Sequence, residues 1–257
     1  MLKVRIIPTL LWKDVGLVKG VAFNSWRRVG SVLPALKVYT MRDVDELILV
    51  DITASKAQRA PDHEAVADFS DECFVPLTVG GGITELQHIV NLLHSGADKI
   101  CVNTGALADP DLIDRAAARF GTQCVVTSID ARRGADGTYT VFADAGMRDT
   151  GLEPTTWAAE AADRGAGEIL LTSIDRDGTL QGYDLELVAS VASRVDVPVI
   201  ASGGAGTYSH MIEVITQAGA SAVAAASMFH FTEQTPSGAK QALADAGIPV
   251  RRNFLAA

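Results

Sequence analysis

Val75-Pro76-Leu77-Thr78-Val79-Gly80-Gly81-Gly82-Ile83 is answered 122 residues later by Val197-Pro198-Val199-Ile200-Ala201-Ser202-Gly203-Gly204-Ala205. The flanks repeat as well. Upstream, Glu46-Leu47-Ile48-Leu49-Val50 matches Glu168-Ile169-Leu170-Leu171-Thr172. Downstream, Gly96-Ala97-Asp98-Lys99-Ile100-Cys101-Val102 matches Gly219-Ala220-Ser221-Ala222-Val223-Ala224-Ala225. Two equivalent half-barrels joined head to tail would carry this pattern.

Outward from the repeat, Val/Ile-rich runs at 4–10, 46–51, 75–79, 99–103, 123–130, 168–173, 197–201 and 221–226 lack strict alternation. That suits strands buried on both faces of a parallel sheet. Amphipathic patterns at 32–43, 61–72, 85–95, 109–119, 154–164, 184–194, 207–218 and 233–246 predict the intervening helices. Asp109-Pro110 and Glu153-Pro154 read as helix starts, and Gly96, Gly165 and Gly219 as helix ends. Eight such units predict a single (β/α)8 TIM barrel with a half-barrel internal repeat, one domain over residues 1–257. A doubly wound sheet is the alternative, but two equal halves of four units close a ring more naturally.

Composition narrows the function. A formal net charge of -9 argues against nucleic acid or an anionic membrane as main partner, while leaving room for a small anionic ligand held by a few local donors. No stretch approaches the roughly 20 apolar residues of a membrane helix. Met1-Leu2-Lys3-Val4-Arg5 runs straight into a strand, so no secretory leader is expected. Cys73, Cys101 and Cys124 are too few and scattered for a disulfide framework or zinc site. Five histidines (His63, His88, His94, His210, His230) lack metal-ligand spacing, and His230 reads as packing. The expectation is a cytoplasmic, reduced protein with no metal and no cofactor.

Two connections are long: about 11–30 after the first strand and about 131–152 after the fifth, the second holding a small hairpin near 139–143. Both emerge at the C-terminal end of the barrel, where such folds place their chemistry, and loops of this length are usually lids or binding elements. Gly81 and Gly82 follow one strand, and Ser202, Gly203 and Gly204 follow its repeat. Glycine lets the backbone come close to an anion and present N–H donors. Asn103 and Thr104, after the fourth strand, and Ala226 and Ser227, after the eighth, complete two sites, with Asp177 and Gly178 extending the second. Glycines that merely make tight turns are the plainer reading. Duplication at matched barrel positions favours a ligand with a phosphate at each end.

Asp130 closes Val125-Val126-Thr127-Ser128-Ile129-Asp130 and is a candidate general acid or base, with a helix cap or lysine partner as the plain alternative. Asp51 and Asp175 also end strands. Half-barrel symmetry puts the counterpart of Asp130 at Leu11, which cannot carry a proton. Two-ended proton chemistry therefore lacks one end. Trp12, beside it, is positioned to fill space in the site.

Over nearly its whole length the chain resembles the cyclase subunit of imidazole glycerol phosphate synthase. The resemblance is carried by Arg5-Ile6-Ile7-Pro8, Val18-Lys19-Gly20, Asp51-Ile52-Thr53-Ala54-Ser55, Leu77 to Ile83, Gly96-Ala97-Asp98-Lys99, Gly165 to Thr179 and Ile200 to Gly206. It implies a heterodimer with a separate glutaminase, whose ammonia passes through the barrel. There a ribulosyl, two-phosphate aminoimidazole-carboxamide intermediate is cleaved and cyclised to imidazole glycerol phosphate and the carboxamide ribotide.

Two aspartates do the family's acid/base work. One corresponds to Asp130 and the other to position 11, leucine here. The Lys-Asp pair that follows is kept as Lys13-Asp14, so Asp14 is no obvious substitute. Val15-Gly16 replaces the family's Gly-Arg, and the lid residue Lys19 is kept. Arg5, Glu46, Lys99 and Glu168 match the charged ring that gates ammonia at the barrel floor. Without the resemblance they read as a stabilising salt-bridge layer. Asp98 matches a contact to the glutaminase.

Pro8-Thr9-Leu10-Leu11 is similar to a divergent branch associated with amidation of surface-polysaccharide sugars. The sequence thus offers a synthase subunit of histidine biosynthesis or a cyclase-deficient paralogue conducting ammonia to a sugar amidotransferase. A single-chain sugar-phosphate isomerase fits worse, since it too needs two carboxylates and has no use for a gated floor.

Overall fold

The computed structural model describes residues 3–14, 16–42 and 44–251. Met1 and Leu2, on which the leader reading partly rests, and Val15 of the first long connection lie outside them. Among the described residues eight parallel strands close into a barrel: β1 (Arg5–Lys13), β4 (Leu47–Asp51), β5 (Leu77–Gly80), β6 (Lys99–Val102), β7 (Val125–Arg133), β10 (Glu168–Ser173), β11 (Val199–Ser202) and β12 (Ala222–Ala225). Pairing of β12 with β1 and of β7 with β10 leaves no open edge. The expected barrel is present, and no helix among the described residues is long and apolar enough to cross a membrane.

Local chemistry places the helices. Asp62 caps α2 (His63–Ser70) through Ala65 N, and Asp184 caps α7 (Leu185–Ala192) through Leu187 N. Thr207 caps α8 (Tyr208–Ala218) through His210 N. Each oxygen satisfies one of the donors a helix start leaves free. Pro154 opens α6 (Pro154–Asp163), and Gly219, at φ 74°, closes α8 in the left-handed conformation. Helix faces pack on the outside of the barrel through residues such as Leu36, Val66, Ile89, Ile113, Trp157 and Val188. A second, smaller cluster fills the barrel itself: Ile7, Ile48, Cys101, Val126, Leu170, Ile200, Ala222 and Ala224.

The repeat extends to strand register. Val50 pairs with Leu11 on one side and Gly80 on the other. Its counterpart Thr172 pairs with Asp130 and Ser202. Leu11 therefore occupies, in the first half, the place that Asp130 occupies in the second.

Several expectations are corrected. The segment read as a loop at 11–30 is structured: β1 runs on to Lys13, and β2 (Gly16–Val21) and β3 (Asn24–Gly30) form an antiparallel hairpin on it. Gly20 is there because a β-carbon would collide with the carbonyl of Asn24 across the hairpin, not because the segment is loose. The second long connection holds β8 (Tyr139–Ala143) and β9 (Arg148–Asp149), paired back on β7. Cys124 ends a 3-10 turn (Thr122–Cys124) and is half-buried, where a core strand position was expected. Short helices α4 (Thr104–Ala108) and α9 (Ser227–Phe231) follow β6 and β12 unannounced, being too brief for periodicity to reveal.

Candidate active site

One cavity opens at the C-terminal ends of the barrel strands. Gly81, Gly82, Asn103, Thr104, Asp130, Asp177, Gly178, Ser202, Gly203, Gly204, Ala226, Ser227 and Lys19 all line it. The barrel thus brings residues from both halves to one space.

Both glycine clusters are built to pass close to their surroundings. Gly82 has φ 74°, and a β-carbon there would stand 2.6 Å from the Arg59 carbonyl and 2.8 Å from Ala54 Cβ. Gly203, at φ 89°, would meet the Ser173 carbonyl at 2.6 Å. Only glycine meets both demands. The residues ending the paired segments match as well: Asn103 has φ -119° and ψ -86°, and Ala226 has φ -124° and ψ -72°. Side chains at the two ends keep polar capacity free. Asn103 Oδ1 and Ser227 Oγ are buried without a hydrogen-bond partner among the described residues. Thr104 Oγ1 accepts from Asp144 N at 2.9 Å, which leaves its own hydrogen to donate.

Asp130 stands between these ends. Asn103 Nδ2 donates to its Oδ2 at 2.8 Å and to the Phe142 carbonyl at 3.2 Å. Burial raises the Asp130 pKa from 3.8 to about 7, the Asn103 bond opposes the rise, and the charge of Asp177 adds to it. A carboxyl held there can both give and take a proton at neutral pH. Leu11 lines the same cavity. Asp14 does not; it sits in a turn at φ 52°, its carbonyl accepting from Trp12 Nε1 at 2.6 Å. Trp12 also leaves the site, since strand alternation sends its ring outward, edge-on to Phe69 at 5.2 Å. It fills no substrate space.

Lys19 is deeply buried, its ammonium 2.7 and 2.6 Å from the two carboxylate oxygens of Asp177. Burial pushes Asp177 up in pKa, and the lysine charge pulls against it. Asp51 ends β4 at the cavity, but Thr53 N, Thr53 Oγ1, Ala54 N and Arg59 already occupy its carboxylate. Asp175 is exposed and receives Arg133 N at 2.9 Å, away from the cavity. His230, 3.2 Å from Tyr39 Oη, is pushed down to about 4 by burial and is neutral at physiological pH.

At the opposite end, four charges close the barrel floor. Arg5 Nη1 reaches Glu46 at 2.7 Å and Glu168 at 2.9 Å, and Lys99 Nζ reaches the same two carboxylates at 3.1 Å each. Burial disfavours the charged guanidinium, but the two carboxylates prevail and raise the Arg5 pKa. Above this ring lies the apolar collar of the inner cluster, whose Cys101, Leu170 and Ala224 reach the bottom of the cavity. Asp98 is exposed beside the floor, its carboxylate accepting from Leu77 N at 2.8 Å.

Sequence reasoning missed Phe23, Trp26, Ser128 and Thr172, all of which line the cavity. The alternation of β7 puts Ser128 on the same face as Asp130, and the repeat puts Thr172 where Val50 stands. Those two signals were readable. The two aromatics had none.

A family model described as histidine biosynthesis protein matches residues 5–235. Proteins named imidazole glycerol phosphate synthase subunit HisF, from two strains of Caulobacter vibrioides (NA1000 / CB15N and ATCC 19089 / CIP 103742 / CB 15), are each 49% identical to this chain over 256 residues. The match covers 99% of this chain and 98% of each relative.

Proposed function

The chain belongs to the histidine biosynthesis protein family, among its HisF-type cyclase subunits, and we propose that it is the ammonia-accepting half of a glutamine amidotransferase complex. In this reading a separate glutaminase docks on the floor beside Asp98, and ammonia enters past Arg5, Glu46, Lys99 and Glu168. The apolar collar favours passage of neutral ammonia over ammonium, because a bare charge there would lose its hydration. The glycine loops take the two phosphates of a ribulosyl aminoimidazole-carboxamide intermediate. Asp130 moves a proton as the ligand is cleaved and cyclised to imidazole glycerol phosphate and the carboxamide ribotide. The observation that carries the proposal is the matched pair of glycine loops facing one cavity around a carboxyl tuned to about 7.

One observation favours a second reading. Leu11, in the register place of Asp130, removes the second proton carrier. Loss of one member of an acid/base pair typically costs about 10²–10⁴ in rate. A cyclase-deficient paralogue, passing ammonia to a sugar amidotransferase of surface-polysaccharide biosynthesis, accounts for retained loops beside a missing carboxylate. Purified chain given ammonium salt and the two-phosphate intermediate separates the two. Turnover at an ordinary metabolic rate rules out the second reading; tight binding without turnover rules out the first.

A further inference from the structure

Between the apolar collar and the polar mouth stand two hydroxyls, Thr9 on β1 and Ser128 on β7, and both line the cavity. Thr9 lies two residues before Leu11 and Ser128 two before Asp130, so strand alternation turns each to the same inner face. Register makes them equivalents. Thr9 pairs with Ile48 and Ser128 with Leu170, and Ile48 and Leu170 are matched in the repeat and belong to the inner cluster. Around the ring β1 and β7 are four strands apart in either direction, so the two hydroxyls look inward from opposite walls. We propose that Thr9 and Ser128 form a binding site for one molecule of ammonia where the collar meets the cavity. The inference rests on the ammonia-path reading above and adds where the nitrogen is held. It serves either fate of that nitrogen, ring closure in place or delivery elsewhere, because position 11 takes no part.

Thr9 carries the first observation. It is 9% exposed, and its Oγ1 is buried without a hydrogen-bond partner among the described residues. Buried hydroxyls are nearly always met by protein or by a small polar molecule, since leaving one unmet costs stability. The other unmet atoms in the cavity wall, Asn103 Oδ1 and Ser227 Oγ, belong to the phosphate ends higher up. The hydroxyls of Thr40 and Thr127 are also unmet, but neither residue lines the cavity, where a ligand could reach it.

The chemistry of the pair is the second observation. Ammonia has one lone pair and three N–H groups, and a hydroxyl both donates one hydrogen and accepts at its oxygen. Hydroxyls on opposite walls can donate to the nitrogen from one side and accept from it on the other. The wall around them is apolar or weakly polar: Leu170, Ala224 and the Cys101 thiol, which burial pushes up to about 12 and so keeps neutral. Such a surround suits a small neutral molecule and penalises ammonium, which would arrive without its hydration. Ser128 also hydrogen-bonds toward Asp130 and Cys101, opposing the rise in pKa of each. Ammonia held by Ser128 therefore sits directly below the carboxyl.

Threonine-methyl NMR on the full chain tests this, with ammonium chloride at alkaline pH as the source of ammonia. The Thr9 methyl signal, assigned by its loss in Thr9→Val, should shift saturably with added salt, and potassium chloride of equal strength should not move it. Ser128→Ala removes one hydroxyl and should weaken the apparent affinity about tenfold, while Ser128→Thr restores it. The same salt at mildly acidic pH, where ammonium predominates, should leave the signal in place. A shift that never saturates, one that ammonium or potassium chloride reproduces, or an affinity indifferent to Ser128→Ala overturns the site. Glutamine given to the chain in complex with a glutaminase, at a level too low to load the site from bulk, tests the path separately. A Thr9 shift with ammonium salt but none with glutamine keeps the site and removes the path; no shift with either removes the site.

Discussion

Asp130→Asn should stabilise the protein while disabling it, and both effects follow from where the carboxyl sits. Its pKa is raised from 3.8 to about 7, first by burial, with Asn103 pulling down and Asp177 adding to the rise. A folded-state value above the unfolded one means that the folded chain binds more protons between the two. The contribution of this group to stability is therefore fully present below about pH 4. It is lost progressively as pH rises, and it levels off above about pH 7. At about 1.36 kcal/mol per pKa unit, the loss above pH 7 is on the order of 4 kcal/mol. Asparagine has nearly the same shape, can still accept from Asn103, and has no charge to desolvate. Urea denaturation should find variant and parent equal near pH 4 and the variant more stable by roughly 2–4 kcal/mol near pH 8. Any turnover should fall about 10²–10⁴-fold. A stability difference that is the same at both pH values, or absent at the higher one, refutes burial as the cause of the perturbation.

Leu11→Asp restores a carboxyl opposite Asp130 and should raise turnover of the two-phosphate intermediate with ammonium salt; an unchanged rate in steady-state assays would put the remaining defect in the hairpin. Lys19→Met leaves the Asp177 carboxylate buried without its cation, and should cost about 3–5 kcal/mol by urea denaturation. It should also expose the β2–β3 hairpin to limited proteolysis. Gly82→Ala forces a β-carbon against the Arg59 carbonyl at positive φ. Calorimetry should then show weakened ribose 5-phosphate binding, alongside a lower melting temperature; unaltered affinity would argue that this loop only turns the chain.

Much of the barrel was legible because its causes are local. Doubly buried strands need unbroken Val/Ile runs, and helices need caps and apolar stripes, so each unit announced itself and the repeat ordered them. The glycine clusters were legible for a related reason: few residues other than glycine fit where backbone must pass backbone at positive φ. The hairpin at 16–30 was not. The segment read as a long loop, whereas Gly20 makes room for Asn24 and for the Trp26 ring within a hairpin. Trp12 misled for a simpler reason, since adjacency in sequence to Leu11 means opposite faces in a strand. Lys19 read as a lid residue, but its partner Asp177 lies 158 residues away and meets it only once the barrel has folded.

The amino-acid sequence by itself determined the eightfold alternation, its division into halves, the two glycine loops and the single retained carboxyl at Asp130, since each is written in residue types and spacings. Tertiary structure alone decided what those residues experience. Strand register set Leu11 beside Val50 as it set Asp130 beside Thr172, the match that half-barrel symmetry predicts. Burial beside Asn103 and Asp177 moved Asp130 to about 7. Pairing of the β2–β3 hairpin on β1 brought Phe23 and Trp26 to the cavity lining. Desolvation, pairing and steric fit belong to neighbours, and folding chooses the neighbours.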